Sequence, residues 1–134
     1  MLRIIIAVAL LGHGIGHSMG LLKVANIASV NPKWRGDSWI LTRITGQSVT
    51  TAAGVALWSS AMVGFTAAAG AVLGWLPVEW FQPLAVVSCV VSLLGVLLFP
   101  IAFPTFSTIG AVAANVVVLV AVVWYDWMPS DLGA

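Results

Sequence analysis

Long stretches without a charged side chain are the feature of this sequence that most constrains its fold. Of the 134 residues, only five are lysine or arginine and only four are aspartate or glutamate. None of them falls between Arg43 and Glu79, or between Glu79 and Asp126. A helix of about 20 consecutive apolar residues spans the hydrocarbon core of a bilayer. The chain is therefore predicted to lie in a membrane as a set of helices.

The apolar stretches hold four predicted transmembrane helices. They cover about residues 2–23, 47–73, 81–99 and 105–125. Pro100 and Pro104 separate the last two, because proline ends a helix. Short connections make the second, third and fourth helices antiparallel neighbours. We therefore predict an all-α membrane protein, a single four-helix transmembrane domain over residues 1–134.

Residues 1–20 have an alternative interpretation as a cleaved signal peptide, with Arg3 placed before an apolar run. Such a peptide ends in a cleavage site with small residues at fixed positions. No good site of this kind follows the run, and Lys23 ends a stretch of full spanning length. We therefore interpret this segment as the first transmembrane helix.

The one substantial loop, about residues 24–46, carries most of the positive charge. Asp37 or Ser38 is a suitable N-cap for a short helix that begins at Trp39. Trp34 and Trp39 stand beside basic residues, a pattern typical of the headgroup region. The loop is predicted either to form a short interfacial helix or to be an ordinary loop anchored by both tryptophans.

The distribution of charge predicts the topology. Basic residues flank the 24–46 loop, whereas Glu79, Asp126 and Asp131 mark the opposite side. The positive-inside rule then places this loop in the cytoplasm and both termini outside. An aromatic cluster is predicted to form the outer interfacial belt, and it consists of Trp75, Trp80, Trp124, Tyr125 and Trp127.

His13 and His17 lie one helical turn apart on the first predicted helix. Ionisable groups at bilayer depth are costly, so each marks a candidate functional site. Burial disfavours the charged imidazolium, and both rings are expected to be neutral. A neutral ring needs a donor and an acceptor partner, and each unsatisfied group costs roughly 1–3 kcal/mol.

Partners for the histidines are available on every other predicted helix. Asn115 lies near the middle of the fourth helix, where its amide has four bonding positions to satisfy. Serines are weaker indicators, because many bond only their own backbone. The predicted ligand-binding residues are His13, His17, Asn115, Ser92, Ser88 and Ser60. A purely structural hydrogen-bond network of the same residues is the alternative.

Gly12, Gly16 and Gly20 repeat at four-residue spacing and form one narrow stripe on the first helix. Small residues in such a glycine zipper let another helix backbone approach closely. We expect these glycines to pack against a neighbouring helix. The alternative is that they make room for a ligand beside the histidines.

Metal and nucleic-acid binding are not favoured by the sequence. His13 and His17 are at a spacing that can share one metal ion, but no carboxylate lies within a predicted span. One haem held by both histidines is excluded, because adjacent turns of a helix cannot reach opposite haem faces; ligation by one histidine or between subunits stays open. The net charge of +1 gives no reason to expect nucleic acid. Cys89 is interpreted as a packing residue.

Arg3, the apolar run after it and Leu10-Leu11-Gly12-His13-Gly14 resemble the opening of DoxX-like membrane proteins. The resemblance covers the first helix and the plan of four spans, with His17 where that family often has lysine. These are small bacterial four-helix proteins, and some are membrane subunits of quinone-linked oxidoreductases. The resemblance therefore implies a bacterial cytoplasmic membrane and a redox-associated role.

Together these features predict binding of a small lipophilic molecule, quinone-like or lipid-like. His13 and His17 would hydrogen-bond its head group, and Asn115 would orient one of them. One alternative is a non-catalytic subunit that packs against a larger membrane complex or a second copy through the glycine stripe. Another is a small transporter or channel subunit. Membrane lipids are the expected surroundings in each case, and enzymatic activity is left open.

Overall fold

A computed structural model describes residues 1–132, and these residues form helices and no β-strand. The α-helices are α1 (Leu2–Gly16), α2 (Ser18–Val24), α3 (Leu41–Thr45), α4 (Gln47–Val72), α5 (Phe81–Leu98) and α6 (Thr105–Leu119). A 3₁₀ turn over Val78–Trp80 leads into α5, and a π-helical turn over Val120–Trp124 extends α6. A final 3₁₀ turn covers Pro129–Leu132.

Within residues 1–132, four helical segments are long and apolar enough to cross a membrane. These spans, numbered first to fourth, are Leu2–Val24, Gln47–Val72, Val78–Leu98 and Thr105–Trp124. Their bounds lie close to the predicted ones, because charges and prolines end the apolar stretches. The prediction of an all-α fold with four long apolar helices is confirmed.

The four spans form a bundle that is open on one side. The second span is central, since α4 packs against α1 on one side and α5 on the other. α6 packs mainly against α5, and its span is the least buried of the four in the described chain. A cleft is therefore left between the first and fourth spans, and the candidate site lies at this cleft.

The first span contains a tighter turn at His17, which joins α1 to α2. The His17 amide donates to the Gly14 carbonyl at 3.1 Å, and the Gly20 amide donates to the His17 carbonyl at 3.2 Å. Both bonds link residues three apart, as in a 3₁₀ turn rather than an α-helix. The two halves of the span are consequently rotated relative to a continuous α-helix.

Two apolar clusters fill the bundle. One lies toward the end that holds both termini and includes Leu10, Phe65, Phe81 and the fully buried Cys89. The other lies under the 25–46 segment and contains Trp34, Trp58, Phe99 and Ala102. Cys89 thus packs among apolar side chains, as expected for a small core residue.

Trp34 differs from the prediction that it anchors the loop in the headgroup region. Its side chain is only 2% exposed and lies edge-to-face on Trp58, with ring centroids 5.4 Å apart. The indole nitrogen donates to the Asp37 carbonyl at 2.9 Å, so its polar atom is satisfied inside the protein. Trp39, by contrast, is 56% exposed.

A short helix does form in this segment, but it begins at Leu41 rather than Trp39. Its N-cap is Ile40 rather than the predicted Asp37 or Ser38. The Ser38 hydroxyl nevertheless accepts a bond from the Leu41 amide at 3.3 Å. Gly46 joins α3 to α4 with a φ of 81°, a positive value that glycine adopts without a steric cost.

Candidate functional site

Four side chains from three of the spans form one continuous hydrogen-bonded chain, which we call the polar chain. His13 Nε2 lies within hydrogen-bond distance of Asn115 Oδ1, at 3.1 Å. The Asn115 Nδ2–H donates to Ser92 Oγ at 2.8 Å. Ser92 Oγ lies 3.1 Å from His17 Nε2 and closes the chain. Residues 102 positions apart in sequence thus meet inside the bundle.

The polar chain is buried because each helix turns its polar residue inward. Asn115 is fully buried, and it is the residue of α6 that the described chain covers most completely. Ser92 and His17 are also buried, whereas His13 is half-buried. An amide in an apolar environment costs free energy unless it is hydrogen-bonded, and Asn115 meets this requirement through both His13 and Ser92.

Phe65 on α4 holds the two imidazole rings in place. Its ring is edge-to-face with the His13 ring at 4.6 Å between centroids, and it is parallel to the His17 ring at 6.2 Å. Nothing in the sequence marks Phe65, since one phenylalanine in a long apolar helix carries no signal of the face it occupies. Its role emerges only from the packing.

His13 lines the apolar cleft between the first and fourth spans. The cleft has a volume of about 380 Å³. Its walls include Ile6, Leu10, His13, Val117, Ala121 and Trp127. Among the described lining residues, His13 and Trp127 are the two that carry a side-chain nitrogen. A half-exposed imidazole therefore meets an otherwise almost entirely apolar space.

A smaller cavity of about 140 Å³ lies beside both histidines. Its lining includes Gly12, Gly16, His17, Phe103, Ser107 and Thr108. Ser107 and Thr108 were missed by the sequence interpretation, although polar residues in the first turns of the fourth helix could have suggested them.

Gly12 and Gly16 do not form the predicted helix contact. A Cβ built at either position would meet no atom of the described residues within 4 Å. A Cβ at Gly20 would lie 2.7 Å from the Trp58 ring, and one at Gly14 would lie 3.1 Å from the Phe65 Cβ. The helix contacts are therefore made at Gly14 and Gly20. Gly12 and Gly16 instead leave open space beside the histidines, which was the alternative role considered for the glycine stripe.

The reason is rotation along the first span. A four-residue repeat turns by about 40° per step around an α-helix, because four residues exceed one 3.6-residue turn. The tighter turn at His17 adds to this rotation. Glycines at a regular four-residue spacing therefore face different neighbours at the two ends of the span.

Ser88 and Ser60 lie outside the polar chain. The Ser88 hydroxyl donates to the Leu84 carbonyl of its own helix at 2.6 Å. Ser60 is exposed and lines a separate groove with Ser59. Ser88 illustrates why an isolated serine in an apolar helix is a weak indicator, since its own backbone can satisfy it.

The buried Nδ1 of His17 has no hydrogen-bond partner in residues 1–132. An unsatisfied buried polar group costs roughly 1–3 kcal/mol. No cluster of three or more potential metal ligands (His, Cys, Asp or Glu) occurs in this part of the chain either. In the arrangement observed, His13 contacts Asn115 and His17 contacts Ser92.

Comparison with protein-family models, with curated proteins and with solved structures finds no match for this chain.

Proposed function

We propose that this protein binds a small lipophilic molecule in the apolar cleft, with the head group hydrogen-bonded to His13. The observation that carries the proposal is the double position of His13, which ends the polar chain and also lines the cleft. A cleft of about 380 Å³ has the size of small-molecule sites. A quinone-like or lipid-like molecule, with an apolar body and one polar end, matches this lining.

His13 is better suited than His17 to contact the head group. Asn115 holds its Nε2, which orients the ring before any ligand arrives. Its Nδ1 has no hydrogen-bond partner in residues 1–132, yet it is not sealed from the surface as the Nδ1 of His17 is. His17 contacts Ser92, which in turn accepts a hydrogen bond from Asn115, so His17 acts on the site only indirectly.

The proposed setting is a bacterial cytoplasmic membrane, with the 24–46 loop in the cytoplasm and both termini outside. The charge distribution supports this topology through the positive-inside rule. A lateral opening between the first and fourth spans suits a ligand that arrives from the lipid phase. The resemblance to DoxX-like proteins supports a redox-associated role.

The proposal is tested by filling the cleft. Ala114 lines the cleft, and the neighbouring Ala113 is exposed on another face of α6. We expect Ala114→Phe to weaken binding of a short-chain ubiquinone, in both redox forms, by tenfold or more, because the new ring occupies the ligand's volume. The readout is the dissociation constant of purified protein in lipid nanodiscs, measured by titration calorimetry. Ala113→Phe adds the same ring outside the cleft and should bind like the wild type.

Two outcomes contradict the proposal: no binding of either the ubiquinone or a lipid-like probe such as 2-undecanol to the wild-type protein, or equal binding by the two variants. Either would favour the alternative of a non-catalytic subunit that packs against another membrane protein or a second copy. That alternative draws support from the open surface at Gly12 and Gly16 and from the small buried share of the fourth span.

A further inference from the structure

We propose that the head group bound at His13 is a hydrogen-bond donor, a hydroxyl, in preference to a carbonyl. This inference rests on the proposed function and names the ligand class of the same site. A quinol or another lipophilic alcohol would then be the ligand, and the corresponding quinone or ketone would bind more weakly.

The first step of the argument is the orientation of the Asn115 amide. Its Nδ2 donates to Ser92 Oγ at 2.8 Å, and this turns Oδ1 toward His13 at 3.1 Å. A carbonyl oxygen accepts hydrogen bonds and cannot donate them. The proton in the His13–Asn115 bond must therefore be carried by His13 Nε2.

The second step is the state of the other ring nitrogen. A neutral imidazole has one N–H and one lone pair, so a proton on Nε2 leaves the lone pair on Nδ1. The described residues that line the cleft include no carboxylate that could pair with a charged ring. An unpaired charge in an apolar space is costly, which favours the neutral form of His13. His13 Nδ1 is thus a hydrogen-bond acceptor.

The third step is the match to the ligand. His13 lines the cleft, and Nδ1 is the ring nitrogen that Asn115 leaves without a partner. A ligand hydroxyl that donates to Nδ1 would place its apolar body against cleft side chains such as Ile6 and Leu10. A carbonyl at the same place brings an acceptor against an acceptor and leaves both unsatisfied, which weakens binding. Asn115 is in this sense a positioning residue, since it acts on the ligand through the tautomer of His13.

The experiment compares matched pairs that differ in this one group. The first pair is a short-chain ubiquinol and its ubiquinone under anaerobic conditions, and the second is 2-undecanol and 2-undecanone. We expect the hydroxyl member to bind about tenfold more tightly to the wild-type protein in nanodiscs. A preference in both pairs supports lipid alcohols in general as the class, and a preference in the quinol pair alone supports a quinol.

Equal affinities, or tighter binding of the carbonyl member in both pairs, would overturn the inference but leave the proposed function intact. Failure of all four compounds to bind would remove the proposed function as well. The two failures are therefore distinguishable.

A serine pair on α5 gives the matched variants. Ser92→Ala removes the acceptor of the Asn115 amide, so the amide is free to turn over, and the preference should fall to about twofold or less. Ser88→Ala, one turn earlier, removes a hydroxyl that bonds its own helix and should keep the preference. Unchanged preference in Ser92→Ala would count against the argument.

Imidazole nitrogen NMR tests the tautomer without any ligand. The chain has two histidines, so a His17→Phe variant assigns the remaining signals to His13. We expect a protonated Nε2 and a bare Nδ1 in His13 of the wild-type protein. A proton on Nδ1 would refute the inference whatever the binding data show.

Discussion

At Gly20 the backbone of α2 lies directly against the face of the Trp58 indole. A Cβ there would be 2.7 Å from ring atoms, closer than atoms can approach without movement. We expect Gly20→Ala to lower the free energy of unfolding by roughly 1–3 kcal/mol, because the core is overpacked. Thermal unfolding of the purified protein in detergent measures the effect.

Gly12→Ala is the matched control on the same span. The described residues place no atom within 4 Å of a Cβ at this position. The substitution should leave the protein as stable as before or stabilise it by up to about 1 kcal/mol, since alanine favours helix more than glycine does. Equal losses from both substitutions would show that the two glycines have the same surroundings.

Ser92 and Ser88 show what could be predicted at the level of single residues. A polar group in an apolar helix stands out in any sequence, so both serines, with His13, His17 and Asn115, were candidates. Ser88 and Ser92 lie four residues apart on α5, and only the contacts of the folded bundle distinguish their roles. Ser92 bonds Asn115, and Ser88 bonds its own helix.

The 25–46 segment closes the end of α5. The last carbonyls of a helix lack partners within it, and side chains of this segment supply two donors to α5 and one to the chain just after it. Ser38 Oγ donates to Leu98 O at 2.6 Å, Trp39 Nε1 to Leu97 O at 2.8 Å, and Asn31 Nδ2 to Ile101 O, just beyond the helix, at 2.7 Å. The segment is thus part of the packed structure.

Ser38→Ala tests this cap. The Ser38 side chain is buried, so its loss leaves the Leu98 carbonyl with one partner fewer, and we expect a destabilisation of about 1 kcal/mol or more in thermal unfolding. Ser29→Ala removes an exposed hydroxyl that bonds the nearby Asn31 carbonyl. This control should change stability by less than about 0.5 kcal/mol. A Ser38→Ala protein as stable as the control would argue against the cap.

The limits of the helices followed from the sequence, but the irregular turns within the spans did not. Prolines and charges mark where the apolar stretches stop. The π-helical turn over Val120–Trp124 has neither proline nor glycine within it. Gln82 donates to the Val122 carbonyl at 3.4 Å, so a side chain from another helix bonds the backbone of this turn. A contact between residues 40 positions apart cannot be read from local sequence.

The proposed topology of the whole molecule can be tested by labelling. Cys89 is fully buried, so the wild-type protein should resist a membrane-impermeant maleimide. Ser130→Cys should be labelled on intact cells and Ser29→Cys only after the cells are opened, because the basic 24–46 loop is expected in the cytoplasm. The opposite pattern would invert the topology.

The sequence by itself determined that the chain is helical, that it has four apolar segments of spanning length, and which few polar side chains those segments contain. These properties depend on the length and hydropathy of each segment alone. Tertiary structure decided which face each helix turns inward: Gly14 and Gly20 make the contacts, Gly12 and Gly16 stay open, and a cleft separates the first and fourth spans. The physical reason is that lipid tails and a protein interior are equally apolar, so hydrophobicity does not set the rotation of a membrane helix. Packing shape and a few hydrogen bonds, here those of Asn115, set it instead.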